Sequence, residues 1–146
     1  MATSITIHEV IEQLDTANVR MLDGDCGLWK ELMSHEDDVT LLGAYGGHVT
    51  GWDEVSARFE RTAAGYAGGA GTTTRTNIST WIGADLACVV DLERHETRLD
   101  GEPEPTVFVY RTTHLLRREN GEWKVALRHA DPLATFRGPR FAHASG

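Results

Sequence analysis

"HLLRRENGEWKVALRHADP", residues 114–132, sets Asn120-Gly121 between two runs that alternate apolar and polar side chains. Asn-Gly favours the positive φ angles of a two-residue type I′ turn, so the segment reads as a β-hairpin. Two-residue closure pairs Glu119 with Glu122, Leu116 with Val125, Thr113 with Arg128 and Thr112 with His129. Alternation then sorts the side chains onto two faces. One face carries Tyr110, Thr112, His114, Leu116, Trp123, Val125, Leu127, His129 and Asp131; it is bulky and apolar, with a polar cluster at one end. The other carries Val109, Arg111, Thr113, Leu115, Ala126, Arg128 and Ala130. Its small residues leave room, and its two arginines can fork onto a carboxylate. The second face is therefore the expected floor of a ligand cavity. The alternative is that Arg111 and Arg128 face solvent and pair with acids across strands.

Outward from the hairpin, residues 72–82, 86–99 and 106–118 are rich in β-branched or alternating residues and read as strands. "LDGEPEP" between the last two is a loop, because its prolines cannot sit in a central ladder. The N-terminal part changes period. Ile7, Val10, Ile11, Leu14, Ala17 and Met21 form one helical stripe, with Thr6 and Glu9 spaced as a capping box and Gly24 placed to end it. A short second helix carries Leu28, Trp29, Leu32 and Met33, with Asp25 as its cap. "VTLLG" is a brief strand, "AYGGHVT" turns into a short partner, and a third helix runs from about Gly51 to Tyr66, capped by Thr50 and broken by "AGGAG". Helices first and antiparallel strands after them make an α+β domain over residues 1–132, with a loosely held tail at 133–146.

Composition narrows the function. The net charge of −8 repels a phosphate backbone, which argues against nucleic acid as a partner. No apolar run approaches the roughly 18 residues of a membrane span, and the N-terminus lacks the basic and apolar regions of a signal peptide. Two cysteines, Cys26 and Cys88, form no CxxC pair; Cys88 in "LACVV" reads as a buried inert thiol, and a reducing cytoplasm is the expected compartment. The histidines show neither HxxxH nor HxH spacing, so no metal is expected. No nucleotide-binding glycine motif occurs, and no cofactor is expected.

The order helix, helix, "SHEDDVTLLG", "GWDEV" helix, four long strands and a final "LLRRENGEWKVALRHADP" resembles the nuclear transport factor 2-like superfamily, nearest its SnoaL-like branch. The matching motifs are Asp37-Asp38-Val39 before the first strand, Gly51-Trp52 opening the third helix, and Arg117 to His129 in the hairpin. The resemblance implies a cone-shaped, cystatin-like α+β fold: three N-terminal helices on a curved antiparallel sheet, a pocket between them, and a homodimer through the sheet. Members include ketosteroid isomerases, cyclases, dehydratases, hydrolases and non-catalytic binding modules, so fold alone does not settle chemistry. Aligned on these motifs, the isomerase base falls on Gly43 and its two oxyanion donors on about Ala17 and Leu115, none of which has a competent side chain. That argues against isomerase chemistry. The same alignment points His129 and Asp131 away from the pocket.

The candidates follow. His129 and Asp131 could act as a base and its orienter, with Tyr45 as a third proton carrier, in a cofactor-free acid–base enzyme. A structural His129 at a strand end is the plainer alternative. Arg111, Thr113 and Arg128 would bind an apolar or carboxylate-bearing metabolite from the sheet, and Trp29, Tyr45 and Trp52 from the pocket mouth. The rival is a non-catalytic, homodimeric binding or assembly module. In "DLERHE", Asp91, Glu93 and His95 share a face; solvation of these charges is the expectation, and a buried acid beside Arg111 the alternative.

Overall fold

The computed structural model describes residues 5–66, 68 and 71–139. Most of the "AGGAG" breaker, the first four residues and the tail from 140 onward lie outside the described residues. Helix α1 (Ile7–Leu22) starts where the Thr6 hydroxyl accepts from the Glu9 amide at 3.2 Å, and ends beside Gly24, whose φ is +86°. Asp25 accepts the Gly27 amide at 2.9 Å, at the start of α2 (Gly27–Leu32). Strand β1 (Thr40–Leu42) pairs with β2 (Val49–Thr50) before α3 (Trp52–Ala63). The cap of α3 is Gly51 at φ +92° rather than Thr50, and no side chain bonds its first turn. Four long strands follow: β3 (Thr72–Ile82), β4 (Leu86–Thr97), β5 (Thr106–Glu119) and β6 (Glu122–Pro132).

The sheet order is β2-β1-β6-β5-β4-β3. It is mixed, which corrects the expectation of a purely antiparallel sheet: β1 runs parallel to β6, with Leu41 opposite Arg128. The chain path allows the parallel pairing, since α3 and four strands intervene between β1 and β6. The turn is as expected, with Asn120 at φ 51° and Gly121 at φ 80°. The core lies between the helices and one sheet face, around Leu14, Trp29, Met33, Val55, Leu116 and Val125.

The hairpin register holds from the turn to Leu116 and Val125, then slips. Leu115 pairs with Leu127, so Ala126 is an extra residue in β6. A bulge of this kind leaves one residue unpaired and reverses the facing of everything beyond it. Val125 and Ala126 are accordingly both buried, and Arg128 and Ala130 join Tyr110, Thr112 and His114 on the core face. The carbonyl of Val125 accepts the Ser34 amide at 2.8 Å, so the chain leaving α2 is stitched to the bulge. The expected cavity floor is thereby corrected. Its β5 members, Arg111, Thr113 and Leu115, face away from the helices, whereas Arg128 faces them.

Candidate functional site

Three neighbouring polar residues of β4 point into the core. Asp91, Glu93 and His95 alternate with Leu92 and Arg94 and keep the parity of Ala87 and Val89, which are core residues. The expectation of solvated charges is therefore overturned, and Glu93 is 0% exposed. Burying a carboxylate demands partners. Arg128 supplies a fork, Nη1 to Oε2 and Nη2 to Oε1, each at 3.0 Å. His95 donates from Nε2 to Oε1 at 3.0 Å. Burial alone would raise the Glu93 carboxyl, but the Arg128 charge and the His95 bond hold it well below the usual carboxylate range. Burial opposes the charge on Arg128 in turn, and Glu93 more than compensates.

The same guanidinium donates from Nη1 to His114 Nε2 at 2.8 Å. Arginine cannot accept, so His114 carries its proton on Nδ1, which is buried without a partner. Burial, reinforced by the Arg128 charge, lowers His114 to about 3. Trp29 completes the stack: its ring lies 5.7 Å from the His114 ring and 5.0 Å beneath the Arg128 guanidinium. Its indole N–H donates to Asn18 Oδ1 at 3.1 Å.

Above this floor is a cavity of about 80 Å3. Met21, Leu22, Leu41 and Phe59 make its apolar wall; Asn18, Trp29, His95, Tyr110 and Arg128 bring polar atoms to it. Two of these atoms, Asn18 Nδ2 and the Tyr110 hydroxyl, are buried with no hydrogen-bond partner within 3.5 Å among the described residues. Such orphans are unusual in a folded protein and call for an occupant. Tyr45 closes the mouth, its hydroxyl 2.6 Å from that of Tyr66 and its ring edge-on to Tyr110 at 6.3 Å. Burial raises the phenols of both Tyr66 and Tyr110, so both stay protonated donors. Outside the mouth is a wider hollow of about 420 Å3, lined by Arg58, Arg61, Thr62 and Leu99.

The sequence candidates divide by face. Trp29, Tyr45 and Arg128 line the cavity. Arg128 has Glu93 as its anion, which leaves only Nε–H and one Nη2–H for a ligand. His129 and Asp131 form a direct pair, Nε2 to Oδ2 at 2.9 Å, but stand 46% and 52% exposed on the outer face, away from the cavity. Arg111 and Thr113 share that outer face, and Arg111 is exposed. Trp52 stacks on His35 at 3.8 Å, outside the cavity wall. Cys88 is half-buried on the outer face rather than in the core, and both cysteines are free. Among the described residues no three acidic, histidine or cysteine side chains converge as metal ligands, and no helix is long and apolar enough to cross a membrane.

Sequence reasoning does not single out Asn18 and Tyr110 as site residues, and it reaches Glu93 and His95 only through the less favoured alternative of a buried acid, with Arg111 rather than Arg128 as its partner. Asn18 stands four residues after Leu14, so it is a polar residue on the apolar stripe of α1; that was a legible signal. The alignment had put a donor position on Ala17, and the residue on the cavity wall is its neighbour Asn18. The position corresponding to a base, Gly43, does line the cavity and has no side chain to act.

No protein of curated function matches the chain significantly. Solved structures do. A nuclear transport factor 2-like superfamily protein from Salmonella enterica is 12% identical, with a TM-score of 0.73 over 91% of this chain and 97% of that one. A ketosteroid isomerase-like protein from Erwinia carotovora is 18% identical, with a TM-score of 0.71 over 88% and 95%. A nuclear transport factor 2-like protein of unknown function in nutrient uptake from Rhodospirillum rubrum is 22% identical, with a TM-score of 0.67 over 89% and 100%. At these identities the likeness shows a shared fold. The model of the SnoaL-like domain matches residues 9–134, and the chain belongs to that family.

Proposed function

We propose that the protein binds a compact, largely apolar small molecule that carries a carbonyl or carboxylate oxygen. The observation behind this reading is the pair of buried donors, Asn18 Nδ2 and the Tyr110 hydroxyl, unpartnered among the described residues and carried by residues that line an apolar cavity over a buried ion pair. An acceptor oxygen placed between them would satisfy both, and a neutral donor set of this kind favours partial negative charge on that oxygen. Binding is favoured over the acid–base enzyme expected from sequence. His95 is the one histidine on the cavity wall among the described residues, and both its nitrogens are committed: Nε2 to Glu93 and Nδ1 to the Thr73 hydroxyl at 3.0 Å. His129 and Asp131 stand on the other face. A homodimer through the outer sheet face belongs to the same reading, because Trp81, Leu86 and Val107 are exposed apolar side chains there.

Calorimetric titration with acetophenone and its longer alkyl homologues tests the pocket. Binding should weaken roughly fivefold in Tyr110→Phe, the loss of one hydrogen bond of about 1 kcal/mol. Asn18→Leu should behave alike. Absence of binding to the parent protein, or full affinity in both variants, would remove this reading.

A further inference from the structure

The outer hollow differs chemically from the inner cavity. Its ionisable lining consists of Arg58, Arg61 and the hydroxyls of Tyr45 and Tyr66, with no carboxylate among the described residues. Both arginines come from one side of α3, three residues apart, so they sit almost one above the other. Arg58 is steered by a bond from Nη1 to the Gly46 carbonyl at 3.2 Å and lies against Gly47, where a Cβ would stand 3.4 Å from the same nitrogen. Gly46 and Gly47, at φ +107° and +66°, let the backbone pass close beneath it. Neither arginine is ion-paired among the described residues, although acids outnumber bases 22 to 14 in the chain. A pair of cations kept clear of carboxylates in an acidic protein is suited to capturing an anion.

The two spaces share Tyr45, Gly46, Arg58, Thr62 and Tyr66. Tyr45 is 57% exposed and tethered by its bond to Tyr66, so a turn of one side chain would join them. At about 80 Å3 the inner cavity holds only a few waters, whereas the joined space reaches the roughly 300–1,000 Å3 of ligand pockets.

We propose that the outer hollow is an anion subsite, and that the natural ligand is a two-ended molecule: an apolar, carbonyl-bearing head in the inner cavity and a carboxylate or similar anion held by Arg58 and Arg61. The inference rests on the pocket reading above and extends it, because it fixes the charge and polarity of the ligand. It also moves the anion anchor from Arg128, which already holds Glu93, to α3.

β-Benzoylpropionate and its primary amide carry the same aryl ketone and differ in charge, so they separate the two readings. Calorimetric titration at low salt should show the acid binding roughly tenfold more tightly than the amide. The gap should shrink in high salt, as screening requires. Arg61→Glu, an exposed change in the last turn of α3, should abolish the preference, read as the ratio of acid to amide affinity within the variant. Equal binding of acid and amide, or a preference that survives Arg61→Glu, would overturn the anion subsite and leave the pocket standing. Failure of both compounds to bind would overturn the pocket and the subsite together.

Discussion

Arg128 is the residue on which the interior depends most. Its guanidinium sits 11% exposed against a fully buried Glu93, with two bonds of 3.0 Å, a third to His114 and a ring beneath it. Arg128→Met preserves much of the stem's packing over Trp29 and removes the charge. Glu93 would then keep His95 alone, and His114 Nε2 would lose its donor. Breaking a buried pair by taking one partner costs about 3–5 kcal/mol, because the remaining charge is uncompensated. Domains of this size hold about 5–15 kcal/mol in total, so the variant should still fold. Urea denaturation should show that loss, and thermal unfolding a midpoint lower by roughly 6–20 °C. The paired variant Arg128→Met/Glu93→Met should recover most of it, since replacing both ions by apolar groups is often neutral. A double-mutant cycle should therefore give a coupling of at least about 2 kcal/mol. Additive losses, or a single-variant loss under about 1 kcal/mol, would refute the claim that the bidentate pair organises the interior.

Acid should weaken the fold in two stages. His114 titrates at about 3 in the folded protein against about 6.5 unfolded, so the unfolded chain takes up the proton first and stability falls as pH drops below about 6.5. At one proton the slope is at most about 1.4 kcal/mol per pH unit, which amounts to about 2–3 kcal/mol by pH 4.5. Glu93, whose folded value is depressed, adds its own loss as pH falls below its unfolded range near 4.5. Unfolding midpoints measured across pH should steepen there, and His114→Gln, which keeps an acceptor for Arg128, should flatten the first limb; an unchanged first limb in that variant would exclude His114 as its source. On the outer face, Trp81→Glu should convert a dimer to monomer in light scattering, Trp81 being 60% exposed within the apolar patch; a monomeric parent, or a variant that stays dimeric, would remove the proposed interface.

Local chemistry explains what could be read in advance. The Thr6 cap, the helical stripe from Ile7 to Met21, the glycine stop and the Asn-Gly turn each depend on residues within one or two turns of chain. So did the order of helices and strands and the family likeness built on it. The faces were legible only as far as the ladder stayed regular. From Arg117 and Lys124 to Leu116 and Val125 the pairing could be counted from the turn. Beyond Ala126 it could not, since nothing in "VALRH" marks which residue will be left unpaired.

Sequence alone fixed the elements, their order and the turn, because those follow from backbone preferences and side-chain period over short distances. Tertiary structure alone chose the sheet neighbours of β1, the bulge in β6 and the partner of Glu93. A one-residue slip in β6 carries Arg128 inward and turns His129 outward, and it accompanies the docking of the chain after α2 and of β1 onto Val125 and Leu127. The buried ion pair beneath the cavity depends on that docking choice, which no local preference encodes.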